Sequence, residues 1–299
     1  MSLKIDKPIR KMIETKSGLT YVNPDDPLAK ALFIHTLENI GGKKRIERIY
    51  VDMVTNHEQA DQQFWSDALK KFELNPIFDE TQLAKVPQEG PLIFVANHPF
   101  GLADGIILGY LAHKARGPFK AMLHSLLCRG EEMFEDYTLP VNFDATKEAL
   151  RETVQSKKMA LKHLKNGGSM IIFPAGNVST SINGWGPAYD FEWRLFTAKM
   201  IQMSRATVVP VYFEGQNSRL FQVGSHMHYL LRAGLFLREF NRIRNRPIPV
   251  AIGDPIPYSD IEHLGSRQEM MTYLRQHVYD LGNRPNAPLS TAYWDAEMT

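Results

Sequence analysis

The chain has 299 residues, 43% hydrophobic and 23% charged, with a formal net charge of +2. That composition belongs to a globular protein able to bury a sizeable core, and the charge is too mild to argue for nucleic acid. A single cysteine, Cys128, excludes an internal disulfide and a Cys-rich metal site and fits a cytoplasmic protein, and its apolar neighbours make packing its expected role. No apolar leader opens the chain and no run of about 18 apolar residues is present, so any lipid contact is expected at a membrane surface.

In chain order, residues 1–24 are polar and basic and read as a loose arm. From Pro27 to about Leu74 apolar residues recur at helical spacing: Leu28, Leu32 and Ile34, then Ile46, Ile49, Tyr50 and Met53, then Phe64, Trp65, Leu69 and Phe72. No strand signal precedes residue 90, so residues 1–87 are expected to form a helical N-terminal section. From Pro91 onward strands and helices alternate. Strand Leu92–Ala96 precedes helix Asp104–Lys114, and strand Phe119–Leu123 precedes a short helix. Strand Leu139–Phe143 precedes helix Thr146–Leu164, and strand Ser169–Phe173 precedes a helical run over Ala188–Met203. Strand Thr207–Phe213 precedes helix His226–Phe240, and strand Ile248–Ile252 precedes helix Arg267–Leu281. The alternation predicts an α/β fold over residues 88–282, a layered mixed sheet flanked by helices. In the 146–164 helix, Leu150, Val154, Leu161 and Leu164 are expected on one buried face. Residues 283–299, rich in Pro and Ala, read as a surface tail.

Three strand ends carry the chemistry. The first reads Asn97-His98-Pro99-Phe100-Gly101-Leu102-Ala103-Asp104. Gly101 permits a sharp turn, and Asp104 falls in the first turn of the next helix, where its charge suits the helix dipole. From there the carboxylate can hold one ring nitrogen of His98 and leave the other free as a base. The plainer alternative is that His98 caps a turn and Asp104 caps a helix. The second strand end, Phe173-Pro174-Ala175-Gly176-Asn177-Val178-Ser179, offers backbone N–H groups suited to phosphate or a developing oxyanion. The third, Val208-Val209-Pro210-Val211-Tyr212-Phe213-Glu214-Gly215-Gln216-Asn217-Ser218-Arg219, is a central strand running into a loop of hydrogen-bonding side chains.

An Asn-His block with a downstream Asp, a Phe-Pro-x-Gly block and a Val-Pro-Val block occur here in the order and approximate spacing of the glycerolipid acyltransferase superfamily, the relatives of lysophosphatidate acyltransferase. The resemblance covers about residues 88–258. It points to the hemolysin-like, ornithine-lipid-type O-acyltransferase branch, through Asn97-His98-Pro99-Phe100-Gly101, Phe173-Pro174-Ala175-Gly176, Phe213-Glu214-Gly215-Gln216-Asn217-Ser218-Arg219 and Ile252-Gly253-Asp254-Pro255-Ile256. Two departures stand out. Residues Pro99 to Ala103 make one more spacer residue than the common pattern, a feature of this branch. Ala175 and Val178 occupy the places of a Glu and an Arg that serve acceptor phosphate in the common block, which argues against a lysophosphatidate-like acceptor.

The resemblance implies a glycerolphosphate-acyltransferase-like fold and a place in bacterial phospholipid biosynthesis. It implies His98 as general base, Asp104 as its orienting partner, and direct attack of an acceptor hydroxyl on an acyl thioester. Substrate contacts are implied for Asn97, Phe100, Gly101, Phe173, Pro174, Ala175, Gly176, Asn177, Ser179, Asn217 and Arg219. The donor is acyl-CoA or acyl-carrier protein as co-substrate, the acceptor is a lyso-lipid, and no bound cofactor, metal or nucleic acid is expected. No Gly-x-Ser-x-Gly elbow, Walker A or His-Glu-x-x-His motif is present. Between Arg219 and Val250, Arg219, Arg232, Arg238, Arg242, Arg244 and Arg246 stand beside a broad apolar surface with Glu239 the only acid. That segment reads either as a helix on an anionic leaflet, as a donor-phosphate site, or as a core helix with a basic rim. The expected location is cytoplasmic, peripheral on the inner membrane face. Two other functions stay open: a catalytically degenerate lipid-binding or membrane-perturbing protein, and a thioesterase or lipase in which His98 activates water.

Overall fold

The computed structural model describes residues 27–124, 137–141, 146–227 and 229–286. Cys128, Phe143, the short helix expected after Leu123 and most of the expected tail lie outside them. The chain opens with helices α1 (Leu28–Ile40), α2 (Lys43–Asn56) and α3 (Gln62–Phe72), then strand β1 (Asn75–Ile77) and the short α4 (Glu80–Leu83). The α/β portion follows: β2 (Leu92–Ala96), α5 (Leu102–Arg116), β3 (Phe119–His124), β4 (Thr138–Val141), α6 (Lys147–Lys165) and β5 (Ser169–Ile172). It continues with a hairpin of β6 (Thr180–Ser181) and β7 (Ala188–Tyr189), then α7 (Phe196–Ser204) and β8 (Thr207–Phe213). Helices α8 (Arg219–Met227) and α9 (Tyr229–Arg242), strand β9 (Pro247–Ile252) and helices α10 (Tyr258–Ile261) and α11 (Arg267–Leu281) complete it.

Among the described residues, seven strands form one sheet in the order β1-β9-β8-β2-β5-β3-β4. All neighbours run parallel except β8 and β9, which are antiparallel, so the sheet is mixed as the alternation predicts. Strand β2 sits between β8 and β5, with Ala96 opposite Val211 and Val95 opposite Ile172. Its five residues are all buried, which accounts for a continuous apolar run rather than an alternating one. Leu92, Phe94 and Ala96 face one side with Val209, Val211 and Phe213, under α2, α3, α5 and α9. Ile93 and Val95 face the other side with Val208 and Tyr212, under α6, α7 and α11. Because β2, β5 and β8 are parallel, the loops after them meet at one edge of the sheet, where α/β enzymes bind their ligands.

Four expectations are corrected. A strand does precede residue 90: β1 is a three-residue edge strand containing Pro76, too short to give a periodic signal. The Ala188–Met203 run is not one helix; Ala188–Tyr189 is a strand and the helix begins only at Phe196, because Asp190 is held by buried hydrogen bonds described below. The basic segment from Arg219 is two helices rather than one. In α6 the buried face is Ala149, Thr153, Ser156, Ala160 and Leu164, whereas Leu150 and Val154 are exposed. Of the four leucine and valine positions expected to be buried, Leu164 is in the core and Leu161 packs against it.

Candidate active site

Strand β2 ends in a clamp. The Asn97 amide donates to the Phe213 carbonyl at 2.9 Å and accepts from the Phe213 N–H at 2.7 Å, extending the β2–β8 pairing by one side chain. Asn97 is therefore not free for substrate; its amide holds two strand ends together. The loop then turns at Gly101, whose φ is +75°. A Cβ there would lie 2.4 Å from Cε1 of Phe236, so both conformation and space demand glycine.

This turn brings His98 and Asp104 together. Nδ1 of His98 lies 3.0 Å from Oδ2 of Asp104. The approach is oblique, a charge contact rather than a straight N–H···O bond. The same Oδ2 accepts the backbone N–H groups of Phe100 at 2.8 Å and Gly101 at 2.9 Å, the second being the reach-back of an N3 carboxylate to its N-cap. Asp104 is fully buried and His98 is 18% exposed. Burial pushes the Asp104 carboxyl up from its ordinary value, against His98 and the two N–H groups, which pull it down. The His98 ring stacks on Phe173, with centroids 4.0 Å apart. No hydrogen bond from the described residues occupies its Nε2.

A second buried carboxylate, which local spacing does not reveal, supports the same histidine through its backbone. Oδ1 of Asp190 accepts the His98 N–H at 3.2 Å and the Ser179 hydroxyl at 2.5 Å, while Oδ2 accepts the Trp193 indole N–H at 2.9 Å. The Asp190 N–H donates to the Tyr279 hydroxyl and its carbonyl accepts from Arg275. Burial raises the Tyr279 hydroxyl above its usual range, so it stays protonated. The Ser179 N–H donates to the His98 carbonyl at 2.8 Å. His98 is thus tied on both sides of its backbone. The sequence does offer one signal: Gly186-Pro187 ahead of an acid flanked by Tyr189 and Phe191 argues against a continuous helix.

The remaining predicted residues fall into two groups. Phe173, Gly176 and Asn177 stand at the mouth beside His98: Phe173 is half-buried against the ring, and Gly176 and Asn177 are exposed. The Gly176 N–H is spent on the Phe173 carbonyl at 3.0 Å, so the turn itself uses the donor expected for an oxyanion. The N–H of Asn177 makes no such bond among the described residues. Arg194 lies over this turn, its Nε 3.2 Å from where a Gly176 Cβ would stand. The others are built into the frame. Pro174 and Ala175 are buried, Phe100 packs on Gly215, Ser179 serves Asp190, Asn217 is buried, and Arg219 donates to the Gly186 carbonyl at 2.7 Å.

The arginines of α9 are occupied too. Arg238 and Arg242 pair with the buried Glu239 at 2.7 and 2.9 Å, and Arg232 donates to Thr180, Ser225 and the Val178 carbonyl. Leu237 and Phe240 point into the core. Helix α9 thus packs Leu237 and Phe240 into the core and engages its arginines with partners in the fold. No helix among the described residues is long and apolar enough to cross a membrane.

A mostly parallel sheet presenting a histidine backed by a buried carboxylate at its carboxyl edge is the arrangement of an α/β enzyme site. Comparison with known proteins gives the family. A family model described as Acyltransferase matches residues 28–288. The chain is 31% identical over 207 residues to the lyso-glycine lipid O-acyltransferase of Bacteroides thetaiotaomicron, covering 67% of this chain and 73% of that one. It is 28% identical to the protein of the same name from Phocaeicola vulgatus, covering 67% and 71%. The fold is shared with the 1-acyl-sn-glycerophosphate (LPA) acyltransferase PlsC of Thermotoga maritima, at a TM-score of 0.50 and 14% identity over 81% of each chain. The chain belongs to the glycerolipid acyltransferase superfamily and is an acyltransferase.

Proposed function

We propose that this protein moves a fatty acyl group from a thioester donor, acyl-CoA or acyl-carrier protein, to the hydroxyl of a lyso-lipid, with His98 as general base and Asp104 orienting it. The observation that carries this reading is the His98–Asp104 pair itself: one ring nitrogen faces a buried carboxylate at 3.0 Å, and the histidine remains 18% exposed. The relatives' names support a lyso-lipid acceptor of the glycine-lipid kind, and the absence of a Glu and an Arg at Ala175 and Val178 agrees with an acceptor unlike lysophosphatidate.

In the proposed reaction Nε2 of His98 takes the proton of the acceptor hydroxyl as its oxygen attacks the thioester carbonyl. Asp104 stabilises the imidazolium that forms. The oxyanion lies against the Phe173–Asn177 turn, where the Asn177 N–H is one donor not used by a backbone bond among the described residues. The tetrahedral intermediate collapses, the C–S bond breaks, and the departing thiolate recovers the proton from His98. The products are an ester and a free thiol, with no acyl-enzyme. Such chemistry suits a cytoplasmic protein working peripherally at the inner membrane face, where thioester donors meet lipid acceptors.

The test is thiol release by the purified full chain from acyl-CoA and from acyl-carrier protein, with and without lyso-lipids including lyso-glycine lipid. Acceptor-dependent release together with an esterified lipid in the mass spectrum supports the reading. Free fatty acid formed without acceptor would mark a hydrolase, and vesicle binding without turnover a degenerate lipid binder.

A further inference from the structure

The β6–β7 hairpin and α8 form an outward apolar ridge that the proposed mechanism does not use. Ile182 is 67% exposed and Trp185 69%, both in the six-residue loop between the strands, and Leu220 and Met227 on α8 are 51% and 69% exposed. Leu220, Val223 and Met227 share one side of their helix by spacing, and the loop lies on its middle: a Cβ at Gly184 would meet Val223 at 3.0 Å. The exposed side chains therefore adjoin rather than scatter, which distinguishes them from ordinary surface apolar residues.

The loop is rigidly held. The Asn183 side chain accepts from the N–H groups of Trp185 and Gly186 at 3.0 and 2.9 Å. Arg219 grips the Gly186 carbonyl, and Gln222 accepts the Ser181 N–H at 2.9 Å. Holding a tryptophan out in water by four bonds to its own loop and helix wastes apolar burial unless something covers it. Neither the hairpin nor α8 contains a carboxylate, while Arg219 and His226 flank the ridge. Both legs of the hairpin are rooted at the candidate base: Ser179 binds the His98 carbonyl just before β6, and Asp190 takes the His98 N–H just after β7. At about 3.3 Å per extended residue, Ile182 stands roughly 10 Å along the chain from Ser179, which is bonded to His98. That matches the depth of about 5–10 Å to which interfacial side chains enter a bilayer.

We infer that Ile182, Trp185, Leu220 and Met227 form a membrane-docking ridge that sinks into the headgroup–acyl boundary of an anionic leaflet and sets His98 at the level of lipid hydroxyls. The inference rests on the lipid-acceptor reading. Tryptophan suits this boundary, with an apolar body and one N–H donor. Arg219 supplies the cation for anionic headgroups while bridging to Gly186.

Flotation of the full chain with vesicles of phosphatidylglycerol and phosphatidylethanolamine tests it. Paired Ile182→Ser and Trp185→Ser substitutions are expected to lower the bound fraction about tenfold or more, and Leu220→Ser with Met227→Ser to do the same. Trp185→Phe keeps the apolar body and should keep most of the binding. Thermal melting should be unchanged, since these side chains are exposed, and so should turnover of a water-dispersed short-chain acceptor. Vesicle binding that survives both pairs overturns the ridge, as does a dimer in the wild type that either pair dissolves, which would make a second copy the occupant. Flotation needs no turnover, so a ridge that docks in an inactive protein and an active protein without a docking ridge are told apart.

Discussion

The loop over residues 97–104 and the segment over 188–195 both deliver a buried carboxylate to the same histidine, yet only the first can be seen in the sequence. Asp104 lies six residues after His98, and its contact follows from a glycine turn and a helix start. Asp190 lies 92 residues away and touches the backbone of His98 rather than its ring. The difference separates two tasks. Asp104 acts on the ring, whose charge changes during the reaction. Asp190 ties the peptide of His98 to the Ser179 strand and to Trp193, and its work is to hold the loop still.

Substitutions can sharpen or break that division. Asp104→Asn should lower kcat/KM by about 10³–10⁴, the scale on which an orienting carboxylate matters to a histidine base. Its melting temperature should not fall at neutral pH. A carboxyl raised by burial binds its proton more tightly in the folded state, so its contribution to stability is present at low pH and lost as pH rises through the folded value. A sharp drop in stability would show that Asp104 is structural first. Asp190→Asn should do the reverse: one hydrogen-bond acceptor becomes a donor in a buried cluster, at a cost of about 1–3 kcal/mol, with a loss of activity of about tenfold. If its effect on turnover at a permissive temperature equals that of Asp104→Asn, the two tasks are not separate.

The pH profile offers a third contrast. Ionised Asp104 is needed to hold imidazolium, and burial raises its carboxyl, so the acid limb of kcat/KM should lie above the ordinary carboxylate range. Asp104→Asn should shift the acid limb and Asp190→Asn should leave it in place, as steady-state rates across pH would show. The smallest effect belongs to a residue that periodicity places in the core. Leu150→Ser should change the melting free energy by no more than about 0.5 kcal/mol, because Leu150 is 64% exposed.

What could be read in the chain follows from the range of the interactions involved. Strands β2, β5 and β8 announce themselves because both faces of each are covered, which forces runs such as Leu92–Ala96 to be apolar throughout. The His98–Asp104 contact is local and depends on one glycine. Strand β1 escapes because three edge residues around Pro76 have no period to read. The stretch after Ala188 imitates a helix in its apolar spacing, but Asp190 draws hydrogen bonds from His98, Ser179 and Trp193 that a helix there would not allow. The face of α6 misleads because its buried side is drawn mostly from small residues, Ala149 and Ala160 among them, and Leu150 falls outside it. Asn97 and Ser179, expected at the substrate, are occupied by Phe213, 116 residues on, and by Asp190, across the β6–β7 hairpin, neither of which a local pattern supplies.

Acceptor-dependent thiol release by His98→Ala, compared with the wild type at saturating donor, decides whether His98 is the base. His98 as the base that deprotonates the acceptor predicts a rate lower by about 10³-fold or more with the fold intact. Release at the wild-type rate would contradict it.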